Sequence, residues 1–563
     1  MADLDAALRF AGAVAAPDLP VNYLPAALIA LRGEPASRPF VALSHRRTGC
    51  RVIDPAGLAD PAALSDRLGR IDRAAPAAAA PNPTRNLRPR KPGKAAAIVI
   101  IDHGIAFWNR RFLTADGDPR FMELRYLDYH AGSPSGIRVS ALTSPEIAAL
   151  CRLADMPGGH AEIERSLGIR FPDSFYGQHI DPDEFRHGTA MADLAAGSDD
   201  PGPHAPVLYG VEVPAGSLID SGGDNLQALL PDALETALSM TDAHRGHPVT
   251  IVLAFAYPAG PHDGSHPVAR IVTDFMARTA GDQVSLVLPA GNHLQDACAA
   301  SLPATEARAK APSVIWRLPP DDYSGNTVEI CVPAPDGAEI ALASPDGQTA
   351  KASLAAGSFA PLYLHGSFIG GLHRLPDRDG TAKFRLTLAG TGWVSGGQRP
   401  APYGDWRLSV RAGSAVGLWI LRDDRSLPAD RSRPHRPSVF AGPDYVETDA
   451  FGAPVMADAG PGPVRRSGTA SVLSTGTGAW CVEATERWPG GSERTAWYSG
   501  RRSDDGPFDQ RILVDDGKAG RGTPAVGTGG AALYAVSGTS AAAALAARRG
   551  WDGPLSVAHP PIR

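Results

Sequence analysis

Four short, strongly apolar runs constrain the fold of this chain more than any other feature. They are Ala95–Ile101, Val207–Val213, Thr250–Ala256 and Val284–Leu288. Runs of this length that are apolar almost throughout are typical of parallel strands, which are buried on both faces. Segments with helical spacing, Leu226–Ala243 and Val268–Ala280, alternate with them. The pattern predicts an α/β fold with a doubly wound, mostly parallel sheet.

The texture changes between residues 300 and 438. Short segments with alternating apolar residues are separated there by Gly, Pro and Asp turns, which predicts an all-β sandwich or jelly roll. The α/β texture then returns, so the β domain is expected to be inserted into the α/β domain. The strand candidates are Val328–Val332, Glu339–Leu342, Ala382–Leu388, Asp405–Val410 and Gly417–Leu421.

The chain divides on this basis into five segments. Residues 1–80 are predicted to form a small N-terminal module, and the Pro- and Arg-rich residues 81–94 a linker. The α/β domain occupies 95–299 and 439–563, and the β insert 300–438. The basic run Arg85–Lys94 has a second interpretation, as a processing site that releases the N-terminal segment.

Composition excludes several classes of function. The 563 residues carry a formal net charge of −6, which gives no electrostatic reason to expect a nucleic-acid or membrane partner. No apolar run is long enough to span a membrane. The N-terminus lacks the features of a secretory signal, so a cytoplasmic location is expected. The five cysteines are far apart and form no zinc motif, which favours free buried thiols.

Four polar residues stand in turns next to predicted strands or helices. Asp102 follows the first apolar run, His187 precedes a helix of small residues, Asn292 lies in a Gly turn, and Ser540 enters an Ala-rich helix. Each has an ordinary structural interpretation by itself, such as a helix cap or a turn residue. Together they supply a nucleophile, a base, a carboxylate that orients the base, and an oxyanion donor.

These residues stand in motifs that resemble those of subtilisin-like serine proteases, the subtilases. Ile100–Gly104 resembles the Asp motif, His187–Thr189 the His motif, Ala290–Asn292 the oxyanion motif and Gly538–Ala543 the Ser motif. Ala496–Arg501 is similar to the segment that precedes the Ser motif. The resemblance covers 95–299 and 440–563, and it implies a subtilisin-like fold and hydrolysis of peptide bonds.

The resemblance also implies a role for each residue. Ser540 would attack the scissile carbonyl, His187 would accept its proton, Asp102 would orient the imidazole, and Asn292 would bind the oxyanion. The strand Leu253-Ala254-Phe255-Ala256 would pair with an extended protein or peptide substrate. That strand and the segment containing Ala290 and Gly291 would form the walls of the specificity pocket.

The sequence departs from the family in ways that affect specificity more than activity. His103 replaces the usual Ser or Thr after the Asp, Ala256 replaces a common Gly, and Ala544 replaces a Pro. Asp102 and His187 are 85 positions apart, which exceeds what compact members need, and the segment between them is expected to form a lid or wall of the cleft.

Two alternatives remain open at this point. The long 103–186 segment is compatible with a peptide-processing protease or macrocyclase that shields its acyl-enzyme from water. An inactive subtilase-like module that binds through its β insert is the second alternative. Residues 1–94 are the candidate intramolecular inhibitor. No cofactor is expected, and Asp377–Gly380 has only a fragment of calcium-loop spacing, so it assigns no calcium site.

Overall fold

The computed structural model describes residues 96–552 apart from short internal segments. The N-terminal module, the linker and Asp377–Gly380 therefore lie outside the described residues. The residues that are not described are 1–95, 130–136, 173, 175, 177–186, 203–204, 215–223, 245, 259, 307–308, 334–337, 376–380, 393–399, 422–435, 459, 489–490, 505, 516–521, 529–532 and 553–563.

A mixed, mostly parallel sheet of nine strands forms the centre of the α/β region. Its order is β20-β19-β6-β5-β1-β4-β2-β3, and β21 also pairs with β19. Among the described strands of this sheet, the antiparallel pairs are β2 with β3 and β19 with β20. The strands are β1 (Ala97–Asp102), β2 (Phe121–Tyr129), β3 (Ile137–Thr143), β4 (Val207–Glu212), β5 (Val249–Leu253), β6 (Val284–Pro289), β19 (Trp480–Arg487), β20 (Glu493–Thr495) and β21 (Gln510–Asp515).

Helices cover both faces of this sheet. In β1 all six residues are buried, and they alternate between two apolar clusters, with Ile98 and Ile100 on one side and Val99 and Ile101 on the other. This double burial is why β1 is apolar up to Asp102 rather than alternating. The helices are α1 (Ser144–Ala154), α2 (Gly159–Arg170), α3 (His187–Ala196), α4 (Asp224–Met240), α5 (Pro267–Arg278) and α6 (Thr539–Asp552).

The described part of the segment between Asp102 and His187, where a lid or wall of the cleft is expected, adds strands and helices to the α/β region. Strand β2 pairs in parallel with β4, and β3 pairs with β2, so the two strands extend the edge of the central sheet. The apolar side chains of α1 and α2, including Ile147 and Ile163, pack into the same cluster as Ile98 and Ile100. The extra length therefore enlarges the α/β core.

Residues between β6 and β19 form two antiparallel sheets packed face to face. Trp316 and Trp406 are among the largest fully buried side chains and lie in the apolar cluster of this sandwich. The five-stranded sheet has the order β11-β10-β15-β8-β17 and the seven-stranded sheet β12-β13-β14-β9-β16-β7-β18. The strands are β7 (Ala299–Leu302), β8 (Ser313–Leu318), β9 (Asn326–Pro333), β10 (Glu339–Ala343), β11 (Thr349–Ala352), β12 (Phe359–Leu364), β13 (Ser367–Arg374), β14 (Thr381–Leu388), β15 (Gly404–Arg411), β16 (Val416–Leu421), β17 (Val439–Ala441) and β18 (Val464–Arg465).

Strand β16 joins the sandwich to the α/β region. Leu418 and Ile420 belong to the apolar cluster of the sandwich, whereas Trp419 and Leu421 pack with the α/β cluster that contains Val99 and Ile101. The Trp419 ring also stacks on His262, with ring centroids 5.3 Å apart. Because successive side chains of a strand point to opposite faces, one strand contributes to both cores.

The remaining described elements are short. Strands β22 (Thr523–Val526) and β23 (Leu533–Val536) form a separate hairpin before α6. Cys151, Cys298, Cys331 and Cys481 are free and buried, which confirms the prediction for these four, while Cys50 lies outside the described residues. None of the helices in the described part of the chain combines the length and apolarity needed to cross a membrane.

Candidate active site

Asp102 is a buried carboxylate at the carboxyl end of β1. Its two carboxylate oxygens lie 2.9 and 2.8 Å from Nδ1 of His187, and the backbone N–H of His103 donates to Oδ1 over 2.8 Å. Burial alone would raise the pKa of Asp102, but the facing imidazole of His187, aided by His103, lowers it below the usual range. Asp102 is thus an ionised partner that fixes the orientation of His187.

His187 is the first residue of α3, and backbone contacts hold this end of the helix against the turn after β1. The N–H of Gly188 donates to the carbonyl of His103 over 2.8 Å, and the N–H of Thr189 to that of Gly104 over 3.2 Å. A Cβ on Gly188 would lie 2.3 Å from the His103 oxygen, so this approach requires glycine. The docking brings the imidazole onto Asp102 and leaves 33% of the His187 side chain exposed.

Ser540 lies in the first turn of α6, behind a glycine turn. Gly538 has a φ of +120°, and its N–H donates to the hydroxyl of Tyr498 over 2.9 Å. The Ser540 Oγ donates to the carbonyl of Ala254 over 3.0 Å. The buried alanines that follow Ser540 pack this helix against the sheet and α3. The free N–H groups and the dipole of a helix N-terminus favour negative charge next to the serine.

Asn292 lies in the loop after β6, and Thr539 fixes its amide. The Asn292 Oδ1 accepts from both the backbone N–H and the hydroxyl of Thr539, each over 2.9 Å. A backbone N–H can only donate, so the atom facing it must be the amide oxygen. A Cβ on Gly538 would lie 3.3 Å from Asn292 Nδ2. The amide NH₂ therefore lies against the turn that carries Ser540.

Ala254 and Phe255 connect the Asp102–His187 pair to the Ser540–Asn292 turn. The His103 ring stacks on the His187 ring, with centroids 5.5 Å apart, and contacts the Phe255 ring at 6.2 Å. The neighbouring Ala254 accepts the Ser540 hydroxyl. Both halves of the predicted set thus flank the same two residues. Among the described contacts of Ser540, the hydrogen bond of the hydroxyl goes to Ala254 rather than to His187.

The segment predicted to pair with substrate is shorter as a strand than the sequence indicated. Strand β5 ends at Leu253, where it still pairs with Ile101 of β1. Leu253 and Ala254 are buried, whereas Phe255 and Ala256 are half-buried and continue beyond the strand. Just beyond the strand, the Ala254 carbonyl accepts the Ser540 hydroxyl. The prediction of a strand through Ala256 is therefore wrong for its last three residues.

The backbone groups of Ala290 and Gly291, across from Ala256, form hydrogen bonds within the protein. Ala290 donates to Val482 and accepts from Ser471, and the Gly291 N–H donates to the Thr539 hydroxyl. A Cβ on Gly291 would lie 3.4 Å from the Cβ of Ala256, so the two predicted pocket walls approach each other closely. Ala290 and Gly291 can thus shape a pocket by surface contact rather than by free backbone groups.

Among the comparisons with known proteins, the one with solved structures agrees with this architecture. No family model matches the chain, and no curated protein matches it. The solved structure of the Clostridium perfringens CspB protease is similar, with a TM-score of 0.55, 14% sequence identity and coverage of 81% of each chain. The likeness is one of fold. The chain therefore shares the fold of a protease of known structure.

Glu212 is a buried residue of the site that the sequence reasoning missed. It ends β4 in parallel register with Asp102 and accepts the backbone N–H groups of Gly104 and Ile105 over 2.7 and 3.2 Å. Burial raises its pKa to about 8, although these two hydrogen bonds oppose the shift. Its signal in the sequence was an acidic residue near the end of an apolar run, the same signal that singled out Asp102.

Proposed function

We propose that this protein is a serine endopeptidase of subtilisin type. The observation that carries the proposal is the arrangement around Ala254 and Phe255, where an Asp–His pair and a serine at a helix N-terminus meet on one segment. The likeness to a protease structure supports the reaction class through the fold. Hydrolysis at a serine needs this set of groups within one cleft.

The serine hydroxyl is held by a peptide carbonyl before substrate arrives. An extended substrate that lies along residues 253–256 offers its own backbone N–H to the Ala254 carbonyl and so displaces the Ser540 hydroxyl. Rotation about the Cα–Cβ bond then directs the hydroxyl to Nε2 of His187. Substrate binding thereby completes the nucleophile–base contact, as is common for catalytic hydrogen bonds that tighten only with substrate bound.

The chemical step follows from the fixed groups. Ser540 Oγ adds to the scissile carbonyl while His187 Nε2 takes its proton and Asp102 holds the Nδ1–H. The Asn292 NH₂ and the backbone N–H of Ser540 donate to the oxyanion. His187 returns the proton to the leaving amine, and water then hydrolyses the acyl-enzyme by the same route.

A fluorophosphonate probe tests the proposal on the full chain. We expect labelling of the wild-type protein, loss of labelling in Ser540→Ala, and a drop in peptidase kcat/KM of about 10⁴–10⁶-fold. Ser537→Ala is the matched control, because this serine is an exposed neighbour in the same turn, and it should retain labelling. A cleavage site for a sequence-specific protease, placed within residues 81–94, allows the measurement before and after release of the N-terminal segment.

The outcomes separate the proposals. An increase in labelling after cleavage supports inhibition by residues 1–94, and equal labelling contradicts it. A wild-type protein that is unlabelled in both states contradicts the peptidase. Mass spectrometry of the products distinguishes hydrolysis, which gives linear peptides, from cyclisation.

A further inference from the structure

His103 adds a second imidazole to the Asp102–His187 pair. Its side chain is only 6% exposed, and its Nδ1 lies 3.2 Å from Asp102 Oδ1 while its ring stacks on His187. One ligand atom from each of Asp102, His103 and His187 lies within 4.8 Å of the others. We propose that these three side chains form a binding site for a zinc-like divalent transition-metal ion, and that its occupation inhibits the enzyme.

The donor set selects the class of metal. Two imidazole nitrogens and one carboxylate oxygen suit zinc, which commonly takes three protein ligands and one water. Calcium and magnesium prefer oxygen ligands and are expected to bind poorly here. In a tetrahedral zinc site, ligand atoms stand about 3.3 Å apart. The His187–Asp102 and His103–Asp102 separations of 2.8 and 3.2 Å are already close to that value.

The negative charge of Asp102 and the solvent exposure of His187 also suit a metal ion. Asp102 is an ionised carboxylate with no Lys or Arg among its described hydrogen-bond or ion-pair partners, so a cation gains a favourable interaction with it. His187 is one-third exposed on its outer side, whereas Asp102 is fully buried. An ion therefore enters past His187. Because an imidazole nitrogen coordinates through a lone pair in its ring plane and the two rings are only 14° from parallel, the His103 ring must turn about its Cβ–Cγ bond to share the ion with His187 and Asp102.

Metal binding changes the tautomer of His187. An ion at Nδ1 takes the lone pair of a nitrogen that otherwise carries the proton, and in the neutral ring the proton then resides on Nε2. No oxidant or other reactant is needed, because the proton only moves from one ring nitrogen to the other through solvent. A protonated Nε2 cannot accept the Ser540 proton, so the base is blocked without displacing the triad.

The direct test measures binding and does not depend on activity. Zinc is titrated calorimetrically into the full chain carrying Ser540→Ala, which retains all three ligands. We expect His103→Asn in this background to lose one equivalent of bound zinc. His365→Asn is the matched control: His365 Nε2 pairs with Asp346 over 2.8 Å, and its φ of +48° suits asparagine. It should retain the equivalent, and Ca²⁺ and Mg²⁺ should give none.

A spectroscopic measurement on the Ser540→Ala protein gives a result even if the His103→Asn variant fails to fold. Co²⁺ added to the Ser540→Ala protein should give the visible bands of a four-coordinate site, and zinc should abolish them. Zinc binding that is identical in the His103→Asn variant, or octahedral Co²⁺ bands alone, would overturn the proposal.

Inhibition is the second readout, and it alone rests on the proposed function. The zinc concentration that halves peptidase activity, relative to the metal-free rate of the same variant, should rise more than about 10-fold in His103→Asn, since losing even an outer partner of a metal site has effects of this size. Zinc binding without peptidase activity would contradict the proposed function but support the metal site. Peptidase activity whose zinc sensitivity is unchanged in His103→Asn would support the proposed function and contradict the metal site.

Discussion

The α/β region and the sandwich both bury polar residues, but they place them differently. In the α/β region Asp102, Glu212 and the Asn292 loop stand at the carboxyl ends of three parallel strands of one sheet, β1, β4 and β6. In the sandwich, Glu329 and Arg385 form a buried ion pair in the middle of β9 and β14. The Glu329 side chain faces Gly260 of the α/β region, where a Cβ added to the glycine would lie 3.1 Å from the Glu329 Oε2.

This difference shows what each architecture offers to chemistry. The ends of parallel strands open onto one edge of the sheet, so polar groups from distant segments meet in a cleft there. In an antiparallel sandwich the two sheets pack face to face, and the side chains between them form a closed core. Disrupting the sandwich should therefore cost stability alone, whereas changes at the strand ends should also reach the groups that are proposed to act in catalysis. Three changes test that contrast, from the largest expected effect to the smallest.

Trp406→Ala should lower the free energy of unfolding most. Trp406 is buried in the sandwich and donates its indole N–H to the Pro402 carbonyl over 2.9 Å. Truncation leaves a large cavity, and the expected loss is about 3–5 kcal/mol, measured by urea unfolding. Tyr403→Ala is the control, because its side chain is largely exposed, and it should change stability by less than about 0.5 kcal/mol.

A loss of kcat that accompanies the loss of stability in Trp406→Ala would contradict this contrast. A folded Trp406→Ala protein, assayed without denaturant, should retain the wild-type kcat. A large drop there would mean that β16, which contributes to both cores, transmits sandwich packing to the strand ends.

Glu212 should make stability depend on pH. Its pKa is about 8 in the folded protein and near 4.5 for an ordinary glutamate, so the folded state retains a proton that the unfolded state releases. This contribution is complete below about pH 4.5 and is lost as the pH rises through about 8. In unfolding experiments the wild type should lose on the order of a few kcal/mol across this range relative to Glu212→Gln.

Glu212→Gln should remove the pH dependence of stability but weaken the turn after β1 that contains Gly104 and Ile105. It retains one acceptor for the Gly104 and Ile105 N–H groups and sets its own NH₂ against the other. Parallel pH curves for the two proteins would show that the proton on Glu212 does not matter to folding.

Thr539→Val should have the smallest effect of the three changes on the measured quantity, which here is catalysis. The Thr539 hydroxyl accepts the Gly291 N–H and donates to Asn292 Oδ1, so it positions the amide that would bind the oxyanion. We expect kcat to fall about tenfold, equivalent to about 1.4 kcal/mol, with KM unchanged. Thr539→Ser retains the hydroxyl and should restore kcat. A change in KM alone would instead assign Thr539 to substrate binding.

Much of this architecture could be predicted from the sequence. Burial on both faces demands apolar runs, and β1, β4, β5 and β6 lie where those runs predicted strands. Alternation likewise located β9, β10, β14, β15 and β16 to within two residues. Periodicity works in these cases because each strand has a simple pattern of burial.

The strands β2 and β3 and the role of Glu212 could not be predicted in this way. Strand β2 mixes polar and apolar residues, as in Phe121-Met122-Glu123-Leu124-Arg125, and its place beside β4 depends on pairing between distant segments. Glu212 looked like part of an ordinary strand until its neighbour in the sheet proved to be Asp102.

The sequence by itself determined the types of the elements and the chemical groups that follow them, because local periodicity and turn residues are encoded locally. Only the tertiary structure decided which groups meet. It bonds the Ser540 hydroxyl to Ala254, stacks His103 on His187, and orients the Asn292 amide through Thr539. Each of these contacts joins groups from elements far apart in the chain or depends on ring orientation. Neither the pairing nor the orientation is fixed until the sheet order and helix packing are set.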